Sequence, residues 1–98
     1  MEIRRGQGRA TVASAGTANR VTTTSTDITE VIITAETDNT GIIAVGGAGV
    51  IAALATRTGT PLLAGESIVL AEDNLTNIWI DSTVTGDGVT YQWVNKRE

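Results

Sequence analysis

The sequence predicts an all-β domain: one antiparallel β-sandwich or jelly-roll-like barrel of about seven or eight short strands, preceded by an extended N-terminal arm. Three observations lead there. Of the 98 residues, 17 are Thr, 10 Ile and 9 Val, β-branched side chains that are stiff at χ1 and suit a pleated strand better than a helix. Leucine, lysine and glutamate are scarce, which leaves a helical bundle little to build with. The eleven glycines and the single proline fall largely between apolar runs, where reversals of the chain are needed.

Residues 1–8 show no periodicity and read as a flexible arm, leaving 9–98 as the β-sandwich domain. Residues 10–15 suit a short strand, Gly16 breaks it, and 18–24 form a second, weaker candidate. Residues 27–35 make the clearest strand of the first half. Val31, Ile33 and Ala35 share one face there, and Glu30, Ile32 and Thr34 share the other. Asp38-Asn39-Thr40-Gly41 supplies turn chemistry. A short apolar strand at 42–45 then runs into Gly46-Gly47-Ala48-Gly49, and the Ala-rich stretch 50–57 permits a helical turn. Turn signals around Thr58-Gly59-Thr60-Pro61 and Ala64-Gly65-Glu66 precede a strand at 67–71, and Glu72-Asp73-Asn74 turns the chain again. From 76 to 82 the pattern alternates, with Ile78 and Ile80 on one side and Asn77, Trp79 and Asp81 on the other. After Gly86-Asp87-Gly88, the residues Val89, Tyr91 and Trp93 line the core face of a last strand.

Composition excludes several function classes. Histidine and cysteine are absent, so disulfides, Cys or His metal sites and His- or Cys-dependent catalysis are ruled out. Eleven acids against seven bases give a net charge of −4, which argues against a globally basic nucleic-acid binder. No apolar stretch reaches the roughly 18 residues of a membrane span, and the first residues lack the apolar core of a signal peptide. Nucleic acid and membrane are therefore not expected partners.

Two patterns imitate chemistry. Gly47-Ala48-Gly49-Val50-Ile51-Ala52 follows an apolar strand and resembles a dinucleotide-binding turn. The helix it would open is broken almost at once by Thr58-Gly59-Thr60-Pro61, so turn glycines are the expectation and no cofactor is assigned. The carboxylates of Glu72, Asp73, Asp81 and Asp87 have neither the spacing of a calcium loop nor an evident cleft, and they read as surface and turn acids. No catalytic, cofactor-binding or metal residue is expected, and the chain does not read as an enzyme.

Interaction residues are easier to nominate. The ends are basic and the body acidic: residues 1–26 carry four Arg and one Glu, whereas 27–87 carry nine acids and one Arg. Ile3, Arg4, Arg5 and Arg9 would make the arm a dock for an acidic surface. Ile32 and Trp79 lie on strand faces that alternation assigns to solvent, which nominates them for a subunit interface.

From Gly16 onward the order of features resembles the small β-sandwich virion proteins of tailed bacteriophages, the head decoration or cement proteins. The resemblance rests on Gly16-Thr17-Ala18, the strand ending in Ala35-Glu36, and Asn39-Thr40-Gly41-Ile42-Ile43-Ala44-Val45-Gly46. It continues through Thr60-Pro61-Leu62-Leu63-Ala64-Gly65-Glu66-Ser67-Ile68-Val69-Leu70 and Leu75-Thr76-Asn77-Ile78-Trp79-Ile80. At Ile43-Ala44 the chain departs from the pattern, where a larger aromatic is expected. The resemblance implies a structural protein made in the host cytoplasm and carried on the capsid surface of the virion. It would bind the major capsid protein, typically as a homotrimer. The alternative is a tail, fibre or baseplate module that binds a host glycan, through Trp79 and nearby Asn and Asp side chains, or another virion protein.

Overall fold

Period-two alternation builds the core. The structure, a computed structural model, describes residues 3–96, among which lie eight strands: β1 Arg4–Thr11, β2 Asn19–Arg20, β3 Glu30–Ala35, β4 Ile43–Gly46, β5 Thr60–Leu62, β6 Ser67–Ala71, β7 Trp79–Ser82 and β8 Gly88–Asn95. They form two four-stranded antiparallel sheets, ordered β1-β8-β3-β6 and β2-β7-β4-β5. No α-helix occurs among the described residues, and the Ala-rich stretch after the glycines holds only a 3-10 turn at Leu54–Thr56. A second 3-10 turn, Leu75–Asn77, is capped by the Asn74 side chain, which accepts from the Thr76 N–H at 3.0 Å.

The two sheets enclose one apolar core. Val31, Ile33 and Ala35 of β3 and Val89 of β8 meet Ile43 and Val45 of β4, Leu62 of β5 and Ile80 of β7 there. Fully burying each branched side chain contributes about 1.5–3 kcal/mol, and these aliphatics dominate the interior because the chain has no Phe. Tyr91 and Trp93 sit against the core from β8, as alternation with Val89 requires.

Those two rings explain β1. The register sets Gly6 opposite Trp93 and Gly8 opposite Tyr91. A methyl at Gly6 would come within 2.7 Å of the Trp93 ring, and one at Gly8 would collide with the Tyr91 phenol. The aromatics therefore lie across strand positions that only glycine leaves open, and large rings on one strand cover the bare backbone of its neighbour. This corrects the N-terminal boundary. Residues 4–8, expected in a flexible arm, are strand, and β1 keeps its register with β8 from Arg4 to Thr11. Met1 and Glu2 of that arm lie outside the described residues.

The outer face of the second sheet is covered by the chain itself. Ala44 and Trp79 point there and pack with Ala18, Val50 and Ala52, which arrive on the segments after β1 and β4. The small Ala44, where a larger aromatic was expected, sits beside Trp79, so the bulk comes from the neighbouring strand. Asp81, on the same face of β7, is completely buried. One of its oxygens accepts from the Gly16 N–H at 3.0 Å and the other from the Ala52 N–H at 2.9 Å. Asp87 is also buried and accepts from the N–H of Thr40 at 3.2 Å, the N–H of Gly41 at 2.9 Å and the Ser82 hydroxyl at 3.1 Å. Neither is the surface acid expected, although Asp87 does lie in the turn before β8. Each carboxylate is an internal acceptor for loop amides that no strand ladder serves.

Replacing Asp81 by Ala should lower stability by about 3 kcal/mol, since two charge-assisted hydrogen bonds are lost and the buried Ala52 N–H is left without an acceptor. Urea unfolding measures the loss. Amide exchange at Gly16 and Ala52 should accelerate together, and Asp81→Asn, which keeps one carbonyl oxygen, should lose less.

Candidate functional site

The first sheet presents its outer face bare. Pairing across β1, β8, β3 and β6 lays side chains on that face in three rows: Arg5, Val94, Glu30 and Ala71; Gln7, Gln92, Ile32 and Val69; Arg9, Thr90, Thr34 and Ser67. The last row is closed by a 2.7 Å hydrogen bond between the Thr34 and Ser67 hydroxyls. The middle of the face is apolar. Ile32 is 37% and Val69 62% exposed, with Val94 half-buried beside them. A shallow depression between Glu30, Ile32, Val69, Gln92 and Val94 is continuous in position with a second one around Gln7, Arg9, Ile32 and Thr90.

Ion pairs bracket the face. At one end Lys96 pairs with Glu30. At the other, Arg9 donates to Glu36 through Nε, and through Nη2 at 3.0 Å. The hydrogen bond and attraction from Glu36 raise the guanidinium pKa still further above its ordinary value, so Arg9 is positively charged at every working pH. Two of its N–H donors are engaged within the chain, so Arg9 also links β1 to the residue after β3, while its side chain stays 62% exposed.

The nominated interaction residues thus divide. Arg4, Arg5 and Arg9 are brought together on β1, with the half-exposed Ile3 immediately before it. Ile32 lies two strands away across the same sheet, on the face that carries Arg5 and Arg9. Trp79 is not part of this surface. It belongs to the outer face of the other sheet, packed against Ala18, Ala44, Val50 and Ala52, and the Arg20 guanidinium stands 5.0 Å from the centre of its ring. Val69 was overlooked. Its strand was recognised, but which of two alternating apolar sets faces outward is decided by the pairing of β6 with β3.

The patterns that imitate chemistry have structural employment. Gly46 closes against Val50, and Gly49 turns at φ 85° where the Val50 N–H meets the Gly47 carbonyl at 3.1 Å. Glu72 organises its turn: Oε1 accepts from the Asn77 amide at 3.0 Å and from the Asp73 N–H at 2.9 Å. The Asn77 bond is the main reason that its carboxyl lies below the usual glutamate range, partial desolvation notwithstanding. No three acidic side chains among the described residues cluster as a metal site would require.

No protein-family model matches the chain, and neither the curated proteins nor the solved structures contain a match to it.

Glu72 makes stability depend on acid. Its folded-state pKa lies below the unfolded one, so its contribution is present above the ordinary carboxylate range and is lost as pH falls through the folded value. Thermal melts of the parent and Glu72→Gln should converge as pH drops from about 5 to 3. Equal separation of the two curves across that range would show that the turn does not depend on the ionised carboxylate.

Proposed function

We propose that the chain is a structural virion protein: a capsid decoration protein that self-associates, as a homotrimer, on the outer surface of a bacteriophage head and fastens the major capsid protein. The observation that carries this reading is the contrast between its two outer sheet faces. One is covered by the chain's own loops and pinned by Asp81. The other is bare, with Ile32 and Val69 exposed beside the arginines of β1. A face left uncovered while its counterpart is sealed fits a protein whose remaining surface is meant for other subunits.

The connectivity supports the same reading. We read the orders β1-β8-β3-β6 and β2-β7-β4-β5 as compatible with an eight-stranded jelly roll of two Greek keys, an architecture that viral coat domains share with lectins and cupins. The glycan-binding alternative relied on Trp79 as a platform, and that ring is engaged by Arg20 and by its own alanine-rich cluster.

The structure changes the appropriate test. Deleting residues 1–8 would remove most of β1 and uncover Trp93 and Tyr91, so loss of binding would report unfolding. A substitution on the bare face is cleaner. Ile32→Lys should fold normally and bind undecorated capsids about tenfold or more weakly in co-sedimentation, because a central apolar contact is replaced by a charge. Equal binding by both proteins would move the docking surface elsewhere. Absence of the protein from purified virions would overturn the capsid reading itself.

A further inference from the structure

The two ends of the first sheet are open strand edges, and they are not alike. β1 runs for eight residues in unbroken register with β8, with neither proline nor bulge to discourage pairing on its other side. Val12 turns its N–H and C=O toward Asp87 and Gly86. Counting back by twos, Ala10, Gly8 and Gly6 face β8, while Arg5, Gln7 and Arg9 direct their backbone groups outward. At the other end the Ala35 N–H donates to the Glu66 carbonyl and the Glu72 N–H to the Thr29 carbonyl. By the same alternation Ile68 and Leu70 face β3, and the outward groups belong to Ser67, Val69 and Ala71.

We infer that the β1 edge of one copy of this chain pairs antiparallel with the β6 edge of a second copy, continuing the sheet head to tail with Gln7 opposite Val69. In that register Arg5 meets Ala71 and Arg9 meets Ser67, and each of the three pairs is a hydrogen-bonding pair, about six backbone hydrogen bonds in all. The parity is consistent with the faces as well. All six residues carry outer-face side chains, so the rows of the sheet run on from one copy into the next and Gln7 covers the most exposed valine.

Charge selects this arrangement over its rivals. Edge β1 carries Arg4, Arg5 and Arg9, whereas β6 is flanked by Glu66, Glu72 and Asp73. Head-to-tail pairing sets Arg4 opposite Glu72 and brings Arg5 diagonal to Asp73. A two-fold pair of β1 edges centred on Gln7 would set Arg5 against Arg9, and a two-fold pair of β6 edges centred on Val69 would set Glu66 against Glu72. Like charges directly opposite are unfavourable in a ladder, and opposite charges stabilise it. A head-to-tail contact closes into a ring when its rotation allows. The inference rests on the self-association in the proposed function and supplies its interface.

Proline tests it, because proline is tolerated at an edge where the N–H points to solvent. Gln7→Pro should block one edge and Val69→Pro the other, while circular dichroism confirms that each variant folds. Each alone should be monomeric by light scattering at concentrations where the parent chain associates. Mixed in equal amounts they should form a dimer and nothing larger, since each retains the edge that the other lacks. Failure of the mixture to dimerise, or persistence of the parent's oligomer in both variants, would overturn this interface while leaving self-association standing. A parent chain that is monomeric at every concentration would overturn both. Should a proline variant not fold, Arg5→Glu decides. Head-to-tail pairing predicts weaker association by roughly tenfold, with recovery when Asp73→Arg is added. A two-fold β1 pair predicts tighter association instead, because the new carboxylate would face Arg9.

Discussion

A buried carboxylate must be met by donors, and in this protein that requirement organises one side of the molecule. Asp81 projects from β7 on the face away from the main core, and it is sealed there by two segments far apart in sequence. The segments bring Ala18, Val50 and Ala52 onto Trp79 and Ala44, forming a second, smaller apolar layer. Without the charge the buried amide of Ala52 would have no acceptor, and without the amides of Gly16 and Ala52 the charge could not be buried. Asp87 does the same for Thr40 and Gly41 near the start of β8. Asp81 lies on β7 and Asp87 in the reversal that follows it, so together they tie this part of the chain to three other loops.

The other side is arranged on the opposite principle. The outer face of the first sheet has ion pairs at its ends, a hydroxyl pair in one row and no covering loop. Its exposed Ile32 and Val69 are too few to form a large sticky patch, and charged side chains flank them. The two faces together make an asymmetric slab. One side is finished by the chain, and the other awaits a neighbour in the proposed assembly.

How much of this was legible in the sequence differs by element. Strands β3 and β8 announced themselves through alternation and β6 as a short apolar run between turn signals, and the inward set Val31, Ile33 and Ala35 was assigned correctly. Strand β1 was shifted. Gly6 and Gly8 carry no hydrophobic signal, and the reason they belong to a strand lies in Tyr91 and Trp93, more than eighty residues further along the chain. A glycine pair at period two matched to an aromatic pair at period two is the clue that could have revealed it. Trp79 and Asp81 were placed on the outward face of their strand, as they are, but alternation reports only the face. Whether loops then cover it depends on tertiary contacts from residues 13–18 and 47–58, whose own sequences look like ordinary turns.

Size gives the asymmetry its logic. A domain of this length buries only about 60–65% of the surface of its unfolded chain, so every sealed layer matters and a second core under the loops is a substantial gain. Sealing the first sheet in the same way would need another long excursion of chain. In the proposed assembly a neighbour's strand would complete the open edge of that sheet with hydrogen-bonding groups already held rigid, and the outer face would remain for the capsid. Unequal edges add selectivity. In the inferred pairing a basic edge and an acidic edge would reject their own kind and accept each other. The sheet would then extend in one sense only, and a contact of that type closes into a ring when the rotation between copies allows. For a protein whose proposed task is to sit at repeated positions on a shell, such a contact would fix subunit orientation as well as affinity. Part of the charge asymmetry along the chain, basic at the start and acidic in the middle, falls on the two open edges of this sheet: Arg4, Arg5 and Arg9 on β1, and Glu66, Glu72 and Asp73 beside β6.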